Sequence, residues 1–139
     1  MRFVDASVFL YAYMKPRRTL PTGIAEMKKA AKAVVRRIDS GEKVATSLTH
    51  ISEVANILEA SMAVHSSHQI IIDLIHSPSI SIFEPTRENY VEAVELAQEV
   101  SAGLNDGVAY VLMKENGIDE IYSFDKHFDS FEGLKRIHA

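Results

Sequence analysis

The sequence predicts an α/β protein, a three-layer sandwich in which helices cover both faces of a central four- to five-stranded parallel sheet. Two observations lead to this prediction. Short runs rich in β-branched and aromatic residues alternate with longer segments of helical periodicity, the pattern of parallel strands joined by crossover helices. The chain has 139 residues, 47% of them hydrophobic, which is enough for one core, and no repeat or linker interrupts it. We therefore expect a single domain over residues 1–139.

The strand candidates are short and mostly apolar, and turn residues separate them from the segments that follow. The strand segments are Arg2–Val4, Lys43–Ser47, Ile80–Phe83, Glu120–Phe124 and, as a candidate fifth, Leu134–Ile137.

The helix candidates carry apolar residues three and four positions apart. The helical segments are Val8–Tyr13, Ile24–Ile38, Ile51–Met62, His65–Ile75, Arg87–Ser101 and Asp106–Asn116. Ser47 or Thr49 can cap the third of these helices, and Thr86 can cap the fifth. The last helix is apolar around most of its circumference, so we expect it to be buried.

Composition excludes several classes of protein. The chain contains no cysteine, which rules out disulfides, thiolate catalysis and sulfur-ligated metal sites and suits a reducing compartment. Asp5 comes before any long apolar run can develop, so no signal peptide is visible. No run approaches the roughly 20 apolar residues of a membrane-spanning helix. We expect a cytoplasmic protein without a membrane partner.

Four acids occupy informative positions along the chain. Asp5 directly follows the first strand and Asp125 follows the fourth, while Glu53 lies one turn into the helix after the second strand and Asp106 begins the buried helix. The functional crevice of an open parallel sheet lies outside the carboxyl ends of its strands, so all four side chains can converge on one edge. Several have apolar neighbours, among which an unpaired charge is costly to bury.

Converging carboxylates repel one another unless a cation lies among them, and an all-oxygen cluster selects hard ions such as Mg²⁺ or Mn²⁺. Such a centre suits phosphodiester cleavage, because the ion polarises the phosphate and activates a water. Ser7, Asn105 and Ser123 lie close enough in sequence to hydrogen-bond the carboxylates and hold them in place. The formal net charge of −4 argues against a nucleic-acid partner only until bound divalent ions are counted.

Each acid also has an ordinary interpretation. Asp5 and Asp106 could each be a helix N-cap, and Asp125 could be a turn residue. Glu53 is harder to explain in this way, because it lies near an apolar stripe. Spacing alone therefore leads to a metal-site hypothesis and no further.

Four segments resemble the PIN-domain nucleases, in the order in which that family carries them. They are Phe3–Leu10 with the first acid, Thr46–Val54 with the glutamate, Leu104–Ala109 with the third acid, and Ile121–Phe128, in which a hydroxyl residue precedes Asp and then Phe. Together they extend across essentially the whole chain. Within that family, the segments resemble those of the VapC-like toxins of toxin–antitoxin pairs. Ser123 stands where threonine is commoner, a change that keeps the hydroxyl.

The resemblance implies a PIN-like fold, Mg²⁺- or Mn²⁺-dependent endoribonuclease activity, an RNA substrate, an antitoxin partner and a homodimer or larger assembly. It assigns metal-ligand and catalytic roles to Asp5, Glu53, Asp106 and Asp125, and supporting roles to Ser7 and Ser123. Asp129 is a further acid that could join this site.

A basic set offers a phosphate-binding rim. Lys28, Lys32 and Arg36 repeat every four residues along the second helix, and Arg17 and Arg18 precede it. The alternative, which we favour, is a solvated helix face opposite the core.

Other functions remain to be weighed. A receiver-type signalling domain needs adjacent acids after the first strand, and a haloacid-dehalogenase-like phosphatase needs two acids two residues apart; Asp5-Ala6-Ser7 satisfies neither pattern. An RNA-processing nuclease outside a toxin–antitoxin system, or a module that binds a metal or partner without catalysis, stays open.

Overall fold

The computed structural model describes residues 1–15 and 21–137. Its core is one sheet of five strands in the order β3-β2-β1-β4-β5, and every neighbouring pair is parallel. The strands are β1 (Arg2–Val4), β2 (Val44–Ser47), β3 (Ile80–Phe83), β4 (Glu120–Tyr122) and β5 (Lys135–Ile137). The predicted α/β class with a parallel sheet is confirmed, and the candidate fifth strand is present.

Helices connect the strands and cover both faces of the sheet. They are α1 (Ala6–Tyr13), α2 (Thr22–Asp39), α3 (Leu48–Ser61), α4 (Val64–His76), α5 (Arg87–Val100), α6 (Leu104–Glu115) and a short 3₁₀ helix (Lys126–Ser130). Within the two described ranges, no helix combines the length and apolar character that crossing a bilayer requires.

Alternation along the strands divides the core into two halves. Val4 and Val44 face a cluster built with α1 to α4, whereas Phe3 and Ala45, their neighbours in sequence, face a cluster that contains α6 and the 3₁₀ helix. All four side chains are fully buried. Successive residues of a strand point to opposite faces, so two-residue apolar runs are what a sheet covered on both sides requires.

Two helix starts are fixed by side chains. Ser47 Oγ accepts a hydrogen bond from the main-chain N–H of His50 and so caps α3, which decides between the two predicted caps. Thr86 and Asn89 form a reciprocal capping box at the start of α5, as the sequence predicts for Thr86.

Several predicted boundaries differ from the observed ones by a few residues, and two of these differences lie near the candidate site. The last long helix begins at Leu104, with Gly103 as its N-cap, so Asp106 lies inside the first turn and does not cap it. Strand β4 ends at Tyr122, because Ser123 and Asp125 already turn toward the site described below.

Close packing of α5 against α6 depends on Gly107. A Cβ atom at this position would lie 2.5 Å from the carbonyl oxygen of Ala93 and 3.2 Å from Cβ of Ala97. Only glycine permits this approach of the two helices. The residue directly before it is Asp106, so this contact also sets where that carboxylate lies.

Candidate metal centre

The four predicted acids line one cleft at the carboxyl ends of the central strands. Asp5 follows β1, Glu53 lies on α3, Asp106 lies in the first turn of α6, and Asp125 precedes the 3₁₀ helix. All four border a single open cleft of about 510 Å³. Residues far apart in sequence thus share one site, because parallel strands end at the same edge.

Asp5 is the most buried of the four acids, with 5% of its surface exposed. Its Oδ2 accepts hydrogen bonds from Ser7 Oγ and Ser123 Oγ, each at 2.8 Å. Burial raises the pKa of Asp5, and the two hydroxyl donors oppose that shift. Asp5 does occupy the N-cap position of α1, yet Oδ2 serves these two hydroxyls across the end of the sheet. Ser7 belongs to α1 and Ser123 follows β4, so Oδ2 is held both by the helix and by the end of the sheet.

The two serines are themselves held by the main chain. Ser123 Oγ accepts the N–H of Asp125 at 2.9 Å, and Ser7 Oγ accepts the N–H of Phe124 at 3.2 Å. The hydroxyl hydrogens are thereby free to point toward Asp5. One network therefore ties the acid after β1 to the segment after β4.

Glu53 is oriented from the neighbouring helix. Asn105 Nδ2 donates a hydrogen bond to Glu53 Oε1 and so links α6 to α3. The amide also satisfies one carboxylate oxygen at a half-buried position, where an unpaired charge would be costly. Asn105 is predicted from its position to hydrogen-bond a carboxylate, and its partner in the structure is Glu53.

Asp106 shows the electrostatic cost of the cluster. Its pKa is raised to about 7 by burial first and then by the negative charges of Asp125, Asp5 and Glu53. Among the described residues that line the cleft there is no lysine or arginine to compensate. A hard divalent cation would supply the missing charge, and carboxylate oxygens are the donors that such ions take. The donor set therefore fits Mg²⁺ or Mn²⁺.

His127 is a neighbour of the cluster that sequence analysis missed. Its Nδ1 lies 2.9 Å from Asp125 Oδ1 and 3.7 Å from Asp106 Oδ2. One ligand atom from each of these three residues lies within 4.8 Å of the others. The signal in the sequence was its position two residues after Asp125, at the start of a turn.

His50 is a second residue that sequence analysis missed, and it lies behind the site. The ring is fully buried, with Ser47 Oγ 2.6 Å from Nδ1 and Asp5 Oδ1 3.9 Å from Nε2. Burial lowers its pKa to about 4, against the opposing effects of the Glu53 charge and the Asn105 main chain. The ring is therefore neutral at physiological pH. Its spacing of three residues from Glu53, on one helix face, could have indicated its place.

Asp129 does not belong to this cleft, which corrects the prediction that it could be a further acid of the site. Both of its carboxylate oxygens accept from Arg136, at 3.0 Å from Nε and 3.1 Å from Nη2. The 3₁₀ helix carries this exposed side chain outside the residues that line the cleft.

The structure gives Lys28 a role other than the predicted RNA contact. Its ammonium group donates to main-chain carbonyls at the end of α1, namely those of Tyr11, Ala12 and Met14. Lys28 therefore stabilises the carboxyl end of that helix.

The rest of the basic set is not part of the cleft. Lys32 and Arg36 are exposed on α2 and do not line the cleft. This agrees with the alternative interpretation, a solvated helix face. Arg17 and Arg18 lie outside the described residues.

Comparison with known proteins supports the same conclusion about the fold. The fold resembles that of VapC20 from Mycobacterium tuberculosis, a sarcin–ricin loop cleaving toxin, with a TM-score of 0.77, 19% sequence identity and 100% of each chain covered. It also resembles PAE2754 from Pyrobaculum aerophilum, with a TM-score of 0.62, 16% identity, and 97% of this chain and 89% of that chain covered. A family model of the PIN domain matches residues 2–134. Since that match covers nearly the whole sequence, the chain belongs to the PIN-domain family.

Proposed function

We propose that this protein is a metal-dependent endoribonuclease whose Mg²⁺ or Mn²⁺ is held by Asp5, Glu53, Asp106 and Asp125. The observation that carries the proposal is the convergence of these carboxylates in one cleft without a lysine or arginine in its described lining. Groups that act as ligands must lose their protons, and burial together with the charges of the neighbouring acids raises the pKa of Asp106, an effect that a bound cation would oppose.

The chemistry follows from the donors. When bound, the ion would polarise the phosphate, activate a water and stabilise the leaving oxygen. Ser7 and Ser123 would hold Asp5 in one rotamer, so that Oδ1 meets the ion without reorganisation. Asn105 would do the same for Glu53. The wide cleft leaves room for a backbone phosphate between the acids and the solvent.

We further propose that this nuclease, a single cytoplasmic domain, is the toxin of a type II toxin–antitoxin pair and assembles as a homodimer or larger oligomer. The likeness in fold to VapC20 over the full chain supports the toxin role. Exposed apolar side chains on α3, α5 and α6 are our candidates for the partner surfaces, because an exposed apolar patch commonly marks a protein contact. They include Leu48, Ile57, Val91, Val94 and Leu104, which are 39–58% exposed.

RNA cleavage by the purified full chain tests the nuclease proposal. With Mg²⁺ or Mn²⁺ we expect labelled single-stranded or structured RNA to be cut internally, and a chelator to abolish the cutting. Asp5→Asn should lose on the order of a thousandfold in rate, since the ion loses a charged ligand. Asp73→Asn, which changes an exposed acid on α4, is the matched control and should cleave normally. Full metal-dependent cleavage by the Asp5→Asn protein would place the site elsewhere.

Expression in a bacterial host separates a toxin from an RNA-processing enzyme. A toxin should arrest growth on induction, Asp5→Asn should not, and the small protein encoded by an adjacent reading frame should restore growth. Cleavage in vitro without arrest would favour the processing role. Light scattering on the eluted protein then gives the mass of the assembly.

A further inference from the structure

We infer that His127 is a nitrogen ligand of the metal ion at Asp106 and Asp125, and that it shifts the preference of the site from Mg²⁺ toward Mn²⁺. This inference rests on the proposed metal-dependent function and specifies the ligand set of the same site. It concerns an imidazole that the pattern of four acids does not include.

The separations among the three side chains are those of ligands around one ion. Two donor atoms that each lie about 2.1 Å from an ion are about 3.0 Å apart at 90° and about 3.6 Å apart at 120°. His127 Nδ1 lies 2.9 Å from Asp125 Oδ1 and 3.7 Å from Asp106 Oδ2. A single ion can therefore contact all three atoms after small side-chain adjustments.

The main chain presents this imidazole to the cleft. The N–H of His127 donates to Asp125 Oδ1 at 2.9 Å, and the next residue, Phe128, is fully buried and anchors the 3₁₀ helix. The His127 side chain itself is 57% exposed and lines the cleft. Its approach to the two acids thus follows from the backbone, while an ion can still reach it from solvent.

Ligand chemistry sets the expected preference. Mg²⁺ favours oxygen donors, whereas affinity for nitrogen donors rises along the first-row transition metals. Binding through Nδ1 requires the tautomer that carries its proton on Nε2, and the exposed ring allows this. One imidazole among carboxylates should therefore favour Mn²⁺ over Mg²⁺ more than carboxylates alone would.

Pulsed EPR of the Mn²⁺-loaded full chain tests the inference without a cleavage assay. A directly bound imidazole gives a ¹⁴N modulation in the electron spin echo, which we expect in the wild type and in His65→Ala but not in His127→Ala. His65 is a matched control, because it is an exposed histidine on α4. His127→Ala keeps the main-chain hydrogen bond to Asp125, so the fold of the turn should survive.

Calorimetry with each metal alone supplies the second measurement. We expect His127→Ala to weaken Mn²⁺ binding by on the order of tenfold and Mg²⁺ binding by less than about twofold. If Mn²⁺ binds without a ¹⁴N modulation that depends on His127, the inference is overturned while the carboxylate site of the proposed function stands. If neither ion binds the wild type, both the inference and the proposed function fail.

Discussion

The two ends of the central sheet differ in whether their charged side chains have partners of opposite charge. At the amino ends of the strands, Arg2 pairs with Glu120 at 3.4 Å and Arg37 with Glu42 at 3.6 Å. Tyr122 joins the pairs, because its hydroxyl accepts from Arg2 and donates to Glu42 while both guanidinium groups lie over its ring. Every charge in this group has an opposite charge or a hydrogen-bond partner.

At the carboxyl ends, four acids face one cleft, and the described lining offers only His127 as a basic partner. Burial raises the pKa of Asp106, and the charges of the neighbouring acids raise it further. The amino end is arranged for stability, whereas the carboxyl end leaves negative charge uncompensated, as functional sites commonly do. The predictions below test that contrast.

Of the substitutions that test this contrast, Gly107→Ala should give the largest effect, because it disturbs the helix packing that positions Asp106 at the carboxyl end of the sheet. The added Cβ would lie 2.5 Å from the Ala93 carbonyl oxygen, so α5 and α6 must separate. We expect the free energy of unfolding to fall by about 1 to 3 kcal/mol and cleavage to fall by on the order of a hundredfold as Asp106 shifts. Thermal unfolding and RNA cleavage measure the two effects.

Gly23→Ala is the matched control for that substitution. Gly23 also lies on a helix, α2, but a Cβ there has nothing within 4 Å. Because alanine favours the helix, this variant should be as stable as the wild type or slightly more stable. Equal behaviour of the two alanine variants would contradict the packing argument.

Asp106→Asn should stabilise the metal-free protein at neutral and alkaline pH. The folded state keeps the Asp106 proton up to about pH 7, whereas an unfolded aspartate loses it near pH 4. Between about pH 4 and pH 7 the folded protein therefore binds more protons than the unfolded chain. The contribution of Asp106 to the free energy of unfolding falls as the pH rises through this range. Removing the charge should add about 1 to 3 kcal/mol at pH 8 and about a third as much at pH 5, since the effect disappears only below the unfolded pKa.

Denaturant unfolding in a chelator, at both pH values, gives these free energies. His50 titrates in an overlapping range but is present in both proteins, so the difference between them isolates Asp106. Glu120→Gln, at the paired end of the sheet, should lower stability by less than about 1 kcal/mol. A destabilised Asp106→Asn protein at pH 8 would show that the acids do not repel one another as argued.

Much of the fold could be predicted because local and global signals agree. Apolar runs in the strands matched a sheet covered on both faces, and the Thr86 cap was readable from local chemistry. The strand order could not be predicted, since periodicity does not say which strands are neighbours. The start of α6 was predicted at Asp106, but the helix begins two residues earlier because Gly103 is its N-cap.

The candidate site was less predictable, because its partners come together only in three dimensions. The convergence of Asp5 and Asp125 could be predicted, because each follows a strand of a predicted parallel sheet and such strands end at one edge. It could not show that Lys28 binds the end of α1 or that Arg136 binds Asp129, since neither pair follows a local rule. The spacing of His50 from Glu53 was readable on one helix face, but the approach of its ring to Asp5 is non-local and was not.

Ser123→Ala and Ser7→Ala should have moderate effects at the carboxyl end. Each removes one hydroxyl donor from Asp5 Oδ2 and leaves that acid less well oriented. We expect the affinity for Mn²⁺, measured by calorimetry, to fall by about tenfold in each variant. Ser66→Ala, an exposed change on α4, should bind as the wild type does. Unchanged affinity in both site variants would mean that Asp5 needs no support.

Asp129→Asn should have the smallest effect, although it removes an acid only four residues from Asp125. Its carboxylate lies outside the cleft and pairs with Arg136 at an exposed position. Exposed pairs contribute roughly 0 to 1 kcal/mol, so stability should change little and cleavage should stay within about twofold of the wild type. The same RNA assay measures this rate beside that of Asp5→Asn. A loss of metal binding in Asp129→Asn would instead mean that Asp129 belongs to the site. Its proximity to Asp125 in sequence would then predict its role better than its pairing with Arg136 does.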